Sequence, residues 1–277
     1  MSVERGGEAV RVVMLGAPTD VNSSYRRGPA QGPAMIREVL ASDVGNSSTE
    51  SGAEFGSEID FSDGGDIPIA ENAEDEIRII AKITEVARTG AVPITIGGDH
   101  SITYPIVRAL AAIHGPLHIL HIDAHPDLYE DFEGNQFSHA SPFARIMENA
   151  LATRLVQVGV RTLNKHQREQ ANRFGVEIIP MQNFTPHWVP VLEGPLYISI
   201  DLDGLDPSYA PGVSHHEPGG LSTREVINVL QRQTGRLIGA DVVELNPEYD
   251  VSGITAALAA KLVKEIAGLV ALRNTSR

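Results

Sequence analysis

The sequence predicts an α/β protein in which helices cover both faces of a parallel sheet. Short apolar runs bounded by glycine or proline alternate with longer stretches of helical period, and this alternation is typical of parallel sheets. We find no stretch that resembles an interdomain linker and no internal repeat with a period of roughly 20 to 50 residues. A single domain over residues 1–277 is therefore expected.

The elements follow from these patterns in chain order. The short apolar runs predict strands at Arg11–Leu15, Val92–Ile96, Leu117–Ile122, Arg154–Val160, Glu177–Ile179, Leu196–Ile200 and Leu237–Val242. The stretches with apolar residues at helical spacing predict helices at Pro33–Leu40, Ala73–Thr89, Ile102–His114, Pro142–Ala150, Asn164–Phe174, Thr223–Thr234 and Gly253–Val270. The segment Ser42–Gly65 is rich in Ser, Gly, Glu and Asp, so we expect a mobile surface excursion with room for a short strand.

Composition excludes several classes of function. Lys and Arg number 22 against 36 Asp and Glu, and the net charge of −14 argues against nucleic acid or an anionic membrane as a partner. Since the chain has no cysteine, disulfides, thiolate zinc sites and cysteine nucleophiles are excluded. The apolar stretch Ile254–Leu272 carries Lys261, Lys264 and Glu265, which indicates a packing helix and not a membrane span. Met1–Gly7 lacks the apolar core of a secretory signal, so a cytoplasmic location is expected.

Two short acidic motifs suggest a metal site. Asp123-Ala-His125-Pro-Asp127 and Asp201-Leu-Asp203 each follow an apolar run and place acidic or imidazole groups at every second position. Alternate residues of an extended strand point to the same side, so each motif directs its donors into one small volume. Carboxylates gathered in this way repel one another unless a cation lies among them.

Residues from four predicted strand ends should meet at one edge of the sheet. In parallel sheets ligand sites form beyond the carboxyl ends of the strands, and His100 and Glu244 also follow predicted strands. The candidate metal ligands offer four carboxylates and two imidazoles: His100, Asp123, His125, Asp127, Asp201 and Asp203. A set without thiolates favours a harder ion such as manganese, and six donors suit two ions that share an activated water. Taken singly, an aspartate after a strand is more often a helix cap or turn former.

Two further residues are candidates for chemistry. His139 precedes a predicted helix and would ordinarily be a surface or capping residue, but close to a metal site it is a candidate proton carrier. Glu244 can pair with a planar guanidinium, and otherwise it would be a capping or ion-paired residue. His118 and His121 lie in a predicted strand and are expected to support the site or fill the core. Gly97-Gly98 lacks the remaining residues of a nucleotide-binding loop.

Taken together, these motifs resemble the ureohydrolase family, which includes arginases and agmatinases. Seven motifs carry the resemblance in family order: Gly97–Ser101, Asp123–Asp127, Ser138–Ala140, Ser199–Pro207, Ala210–Gly212, Glu217–Gly220 and Glu244–Pro247. The resemblance implies a three-layer α/β/α fold with an eight-stranded parallel sheet, two Mn(II) ions per subunit, and a homo-oligomer, either a trimer or a hexamer. It also implies a small cationic guanidino substrate and urea as a product.

The resemblance assigns roles to individual residues. His100, Asp123, Asp127 and Asp201 would bind one manganese, and Asp123, His125, Asp201 and Asp203 would bind the other. Asp127 would also relay the proton of the activated water. His139 would carry a proton to the leaving amine, and Glu244 would hold the guanidinium.

Loop motifs favour L-arginine as the substrate, cleaved to L-ornithine and urea. The segments Asp127–His139, Ser138–Ile146 and Ala210–Ser222 resemble plant-type arginases, and Asn135 is a candidate for binding the α-carboxylate. Where many family members read Thr-Gly-Thr-Pro, this chain has Val213–His216, which changes the pocket wall.

Other functions stay open at this point. Agmatinase, which releases putrescine and urea, is the nearest alternative, followed by a hydrolase of formimidoylglutamate or another small guanidino acid. A deacetylase-like hydrolase with one zinc ion and a metal-stabilised scaffold are more distant. The number of metal ions bound per chain separates the zinc enzyme from the others.

Overall fold

The protein forms one eight-stranded sheet in which all neighbouring strands are parallel. A computed structural model describes residues 9–274, so Met1–Gly7 lies outside the described residues. The strands are β1 Val10–Ala17, β2 Ile59–Asp66, β3 Val92–Gly97, β4 Leu117–Ile122, β5 Ala152–Val158, β6 Glu177–Ile179, β7 Leu196–Asp201 and β8 Leu237–Val243. Their order across the sheet is β2-β1-β3-β8-β7-β4-β5-β6.

Within residues 9–274, seven α-helices cover the two faces of this sheet. They are α1 Gly32–Ala41, α2 Asp75–Arg88, α3 Thr103–His114, α4 Pro142–Glu148, α5 Lys165–Phe174, α6 Thr223–Arg232 and α7 Ile254–Asn274. One hydrophobic core contains residues of α1, α6 and α7, and a second core contains residues of α2, α3, α4 and α5. The three-layer α/β/α class predicted from the sequence is confirmed. No helix within residues 9–274 combines the length and the apolar character needed to cross a bilayer.

The structure corrects one expectation about the chain between α1 and α2. The segment Ser42–Gly65, expected to be a mobile surface excursion, contains most of the edge strand β2, which pairs with β1. Only Ile59 of this strand is fully buried, and its sequence Ile-Asp-Phe-Ser-Asp-Gly-Gly-Asp lacks the apolar run that marks the central strands. Polar residues are a common way to protect an exposed sheet edge from pairing with other chains.

Four central strands bring the predicted site residues together. β3, β8, β7 and β4 are consecutive neighbours in the sheet, and they are the strands that precede His100, Glu244, Asp201 and Asp123. Gly98 allows the chain after β3 to turn closely past β1, because a Cβ at this position would lie 2.0 Å from the carbonyl oxygen of Thr19.

Candidate metal centre and active site

The His100 side chain lies at the centre of a group of carboxylates. Its Nδ1 atom is 3.2 Å from Asp123 Oδ2, 3.1 Å from Asp127 Oδ2 and 3.1 Å from Asp201 Oδ2. All four side chains are buried, yet His100 Nδ1 has no hydrogen-bond partner. An imidazole nitrogen that faces three carboxylate oxygens without a hydrogen bond is suited to bind a cation together with them.

A second group of donors lies around His125. Its Nδ1 atom is 3.1 Å from Asp203 Oδ2 and 3.3 Å from Asp123 Oδ1. The ligand atoms of Asp123, His125 and Asp203 lie close enough together to hold one ion. Asp123 belongs to both groups, one oxygen facing each, which is the arrangement that a carboxylate bridging two ions requires. The structure thus brings all six predicted ligands into one place.

The electrostatics of these carboxylates also favour a cation. Burial, followed by the charges of Asp203 and Asp123, raises the pKa of Asp201 well above its ordinary value. Burial likewise raises the pKa of Asp203 to about 6, in opposition to the His125 charge. Several buried carboxylates at such short distances are stable in their charged forms when positive charge lies among them.

His121 supports this group and does not add to it. Its Nδ1 atom accepts a hydrogen bond from Gln157 Nε2 at 3.0 Å, so its Nε2–H donates to Asp123 Oδ2 at 2.9 Å. His121 also belongs to a set that could hold a metal, but both of its ring nitrogens already have partners. It therefore orients Asp123, as histidines behind metal ligands commonly do. The neighbouring His118 accepts a hydrogen bond from Gly194 N at 3.1 Å.

Glu244 and His139 form a pair beside the carboxylates. Glu244 Oε1 accepts from His139 Nδ1 at 2.8 Å and from the backbone N–H of His100 at 2.9 Å. The other oxygen, Oε2, is buried and has no partner. Although burial raises it, the pKa of Glu244 is held below its ordinary value by the charge of His139. Glu244 therefore offers one free anionic oxygen.

The proton of His139 is held in a defined place. The backbone N–H of Ser24 points at His139 Nε2 from 3.1 Å, and because it can only donate, it favours the ring with its proton on Nδ1. Burial lowers the pKa of His139, but the charge and hydrogen bond of Glu244, together with the charges of Asp99 and Asp127, raise that pKa to about 9. The N–H of Ser24 thus favours the neutral form of the His139 ring, whereas Glu244 favours the charged form. Because the two effects oppose each other, a proton can be gained or lost at Nε2.

Two of the predicted catalytic residues have an uncommon backbone conformation. Asp127 has φ 48° and Glu244 has φ 68°, in the left-handed region that residues other than glycine rarely adopt. Such conformations persist where the surrounding structure holds them, and they are frequent at functional sites. Here each turn directs a carboxylate back toward the ends of the strands.

These residues line a cavity of about 260 Å³. His125, Asp127, His139, Asp201, Asp203 and Glu244 are all in its wall. Asn135 is not brought together with them, because its amide donates to Asn22 Oδ1 at 3.0 Å and it lines a neighbouring cavity of about 420 Å³. Its Oδ1 accepts from Phe137 N at 2.9 Å, so Asn135 shapes the loop between β4 and α4.

Sequence reasoning did not anticipate Ser24 or His215 in this wall. Ser24 contacts His139 from 115 positions away along the chain, and nothing in its local sequence indicated this. His215 also lines the cavity. The difference from the family pattern at Val213–His216 was the one indication that His215 could matter. The sequence does not show, however, whether His215 or His216 faces the cavity.

Comparisons with known proteins show which family this chain resembles. The model of the arginase family matches residues 10–268. "Arginase 1, mitochondrial" of Arabidopsis thaliana is 47% identical, with 96% of this chain and 82% of that protein covered. "Arginase 2, chloroplastic/mitochondrial" of the same plant is 48% identical, with 95% and 81% covered. The structure of the arginase from Medicago truncatula has a TM-score of 0.90 and 44% identity, and the match covers 96% of this chain and 89% of that chain.

These relatives overturn the expected cytoplasmic location. Both Arabidopsis proteins are named as mitochondrial or chloroplastic, so the expectation was wrong. It depended on the missing apolar core of a secretory signal, which does not separate the cytoplasm from an organelle, since organelle-targeting segments are amphipathic. The resemblance to the ureohydrolases, by contrast, is confirmed over most of the sequence, and the chain belongs to the arginase family.

Proposed function

We propose that the protein is an arginase that hydrolyses L-arginine to L-ornithine and urea with two bound Mn(II) ions. One observation carries the proposal: residues of both donor groups, the one around His100 and the one around His125, line the same cavity as Glu244, whose Oε2 is free. The plant relatives named arginases support L-arginine as the substrate.

The donors present fit a pair of manganese ions. One ion would be held by His100, Asp123, Asp127 and Asp201, and the other by Asp123, His125, Asp201 and Asp203. The buried, unpartnered Nδ1 of His100 and a donor set of carboxylates and imidazoles match the preference of manganese for oxygen and nitrogen ligands. When bound, the two ions lower the pKa of a water molecule and hold it for attack on the guanidinium carbon.

Glu244 positions the guanidinium. Its Oε2 is the free acceptor in the wall, whereas Oε1 is already occupied by His139 and His100. A hydrogen bond between an ionised carboxylate and a guanidinium N–H is short and strong. This hydrogen bond fixes the plane of the guanidinium relative to the carboxylates. Holding the reacting atoms in line in this way removes a large part of the activation free energy.

Asp127 and His139 move the protons. Asp127, itself one of the proposed ligands, lies in the cavity wall and would accept a proton from the attacking water. The proton that the leaving amine needs departs from His139 Nε2, because the Nδ1–H is held by Glu244. Protonation makes the amine a good leaving group, so that the tetrahedral intermediate collapses to urea and L-ornithine.

A paired assay with metal counting tests the proposal. Purified protein loaded with manganese should release urea from L-arginine faster than from agmatine and should contain two metal ions per chain. Urea release only from agmatine would make the protein an agmatinase. One zinc ion per chain and no urea from either compound would overturn the ureohydrolase assignment.

A further inference from the structure

His215 presents an uncommitted imidazole to the cavity. Its ring centre is 5.3 Å from that of His139, 5.8 Å from that of His125 and 5.5 Å from that of Tyr25. Within residues 9–274 these ring contacts are accompanied by no hydrogen bond to either of its nitrogens. A half-buried imidazole in a cavity wall with free nitrogens is available to a ligand.

Arg26 is an uncommitted cation near His215, since the ring of Tyr25 contacts both side chains. Its guanidinium carbon lies 4.7 Å from the ring centre of Tyr25 and 4.6 Å from that of Tyr249, and these cation–π contacts hold it in place. Its neighbour Arg27, in contrast, forms ion pairs with Asp20 and Glu71. Among the described residues no carboxylate pairs with Arg26, so its N–H groups are free for an anion.

The acidic residue nearby, Glu217, does not compete with Arg26 and His215 for an anion. Glu217 lines the cavity, its side chain is 40% exposed, and its Oε1 lies 3.9 Å from His125 Nε2. A carboxylate here attracts an ammonium group, which L-arginine and agmatine both carry. The two compounds differ only in the carboxylate, and the donors that suit a carboxylate are Arg26 and His215.

We propose that Arg26 and His215 form a subsite for the carboxylate of the substrate and thereby select a guanidino acid over its decarboxylated amine. This inference rests on the proposed function, since it places the guanidinium at Glu244 and the opposite end of the substrate at the cavity opening. A guanidinium and a carboxylate match in geometry and charge. A substrate without the carboxylate leaves both donors without a partner, which is how such sites discriminate.

The first test compares two substrates in three variants. Arg26→Gln and His215→Thr should each lower kcat/KM for L-arginine by about 10- to 100-fold, the range expected for one hydrogen bond to a charged group. The loss should appear mainly as a higher KM, and kcat/KM for agmatine should change little. Arg26→Lys should recover part of the loss, because it restores the charge without the planar donors.

Matched controls lie at the opposite edge of the sheet. Arg88 is exposed at the end of α2, and His114 ends α3 just before β4 begins. Arg88→Gln and His114→Thr remove the same two side-chain types and should leave both substrates unaffected. If Arg26→Gln and His215→Thr reduced kcat/KM equally for both substrates, or for neither, the subsite would be refuted.

A binding experiment separates this inference from the proposed function. Calorimetry on the manganese-loaded protein should show that Arg26→Gln weakens L-ornithine, which carries the carboxylate, and not putrescine, which lacks it. If the wild type releases urea from L-arginine while Arg26→Gln binds L-ornithine normally, the subsite fails and the arginase assignment stands. If the wild type releases no urea from L-arginine, the proposed function itself fails.

Discussion

Ser199 fixes the ring of His100 in the form that binds a metal. Ser199 Oγ lies 2.9 Å from His100 Nε2 and donates its only proton to Asp241 Oδ1 at 2.7 Å. The hydroxyl oxygen must therefore accept the Nε2–H, which leaves Nδ1 without a proton and directed at the carboxylates. Thr103 donates to the other oxygen of Asp241 at 2.8 Å, so the whole relay is buried and hydrogen-bonded.

The first prediction follows from this relay. Ser199→Ala should weaken manganese binding by about 10- to 100-fold, as expected when the partner that orients a ligand is lost, while the far-ultraviolet circular dichroism stays unchanged. Metal titration followed by calorimetry measures the effect. Ser57→Ala in the exposed loop before β2 is the control. Unchanged affinity in Ser199→Ala would show that the relay does not orient His100.

The second prediction separates ligands from proton carriers. Asp201→Asn should lose bound metal, because Asp201 lies 3.1 Å from His100 Nδ1 within the donor group. His139→Asn should keep both metal ions and lower kcat by about 10²- to 10⁴-fold, the usual contribution of a positioned acid or base. Elemental analysis and urea release on the same samples measure both quantities. Equal metal loss in the two variants would contradict the assigned roles.

The third prediction concerns the loop that carries His215 and Glu217. Hydrogen bonds from Ser208, Gly219 and Gly220 lower the pKa of Asp206 to about 2, below the value of about 3.9 for an unfolded chain. A lowered folded-state pKa stabilises the protein at pH values above the unfolded pKa, and the stabilisation is lost as the pH falls toward 2.

Asp206→Asn should therefore lower Tm by a constant amount between about pH 5 and 7, and the difference from the wild type should begin to shrink below about pH 4. Thermal unfolding at a series of pH values measures this difference. Asp43→Asn, at an exposed position after α1, is the control that should show no such dependence. A difference that grew as the pH fell would reverse the assigned sign.

Sequence patterns predicted the parts of the site that depend on local order along the chain. Asp123–Asp127 and Asp201–Asp203 were recognisable because each follows an apolar strand and alternates at strand spacing. Contacts between distant segments were not predictable. Ser24 reaches His139 across 115 positions, and which of His215 and His216 faces the cavity depends on the path of one loop.

The same distinction explains the fold. The central strands are apolar enough to be recognised, since they are covered on both faces. β2 was missed as a defined strand because its burial is confined largely to Ile59. Its pairing with β1 is specified by backbone hydrogen bonds and by the position of the chain after α1, and neither leaves a pattern in the sequence.

The last prediction tests how the backbone after β3 holds the site. A Cβ at Gly98 would lie 2.0 Å from Thr19 O and 2.6 Å from Ala17 O, and backbone atoms on both sides leave no flexible group to move. Gly98→Ala should lower the free energy of unfolding by about 1–3 kcal/mol or more, the cost of overpacking, and should also weaken metal binding by displacing His100. Gly45→Ala is the matched control, because its Cβ would meet only Lys264 Nζ at 3.4 Å. Denaturant unfolding and metal titration of both variants measure the two effects. If Gly98→Ala had the same free energy of unfolding and the same metal affinity as the wild type, His100 would not be positioned by the close contact between β1 and the turn after β3.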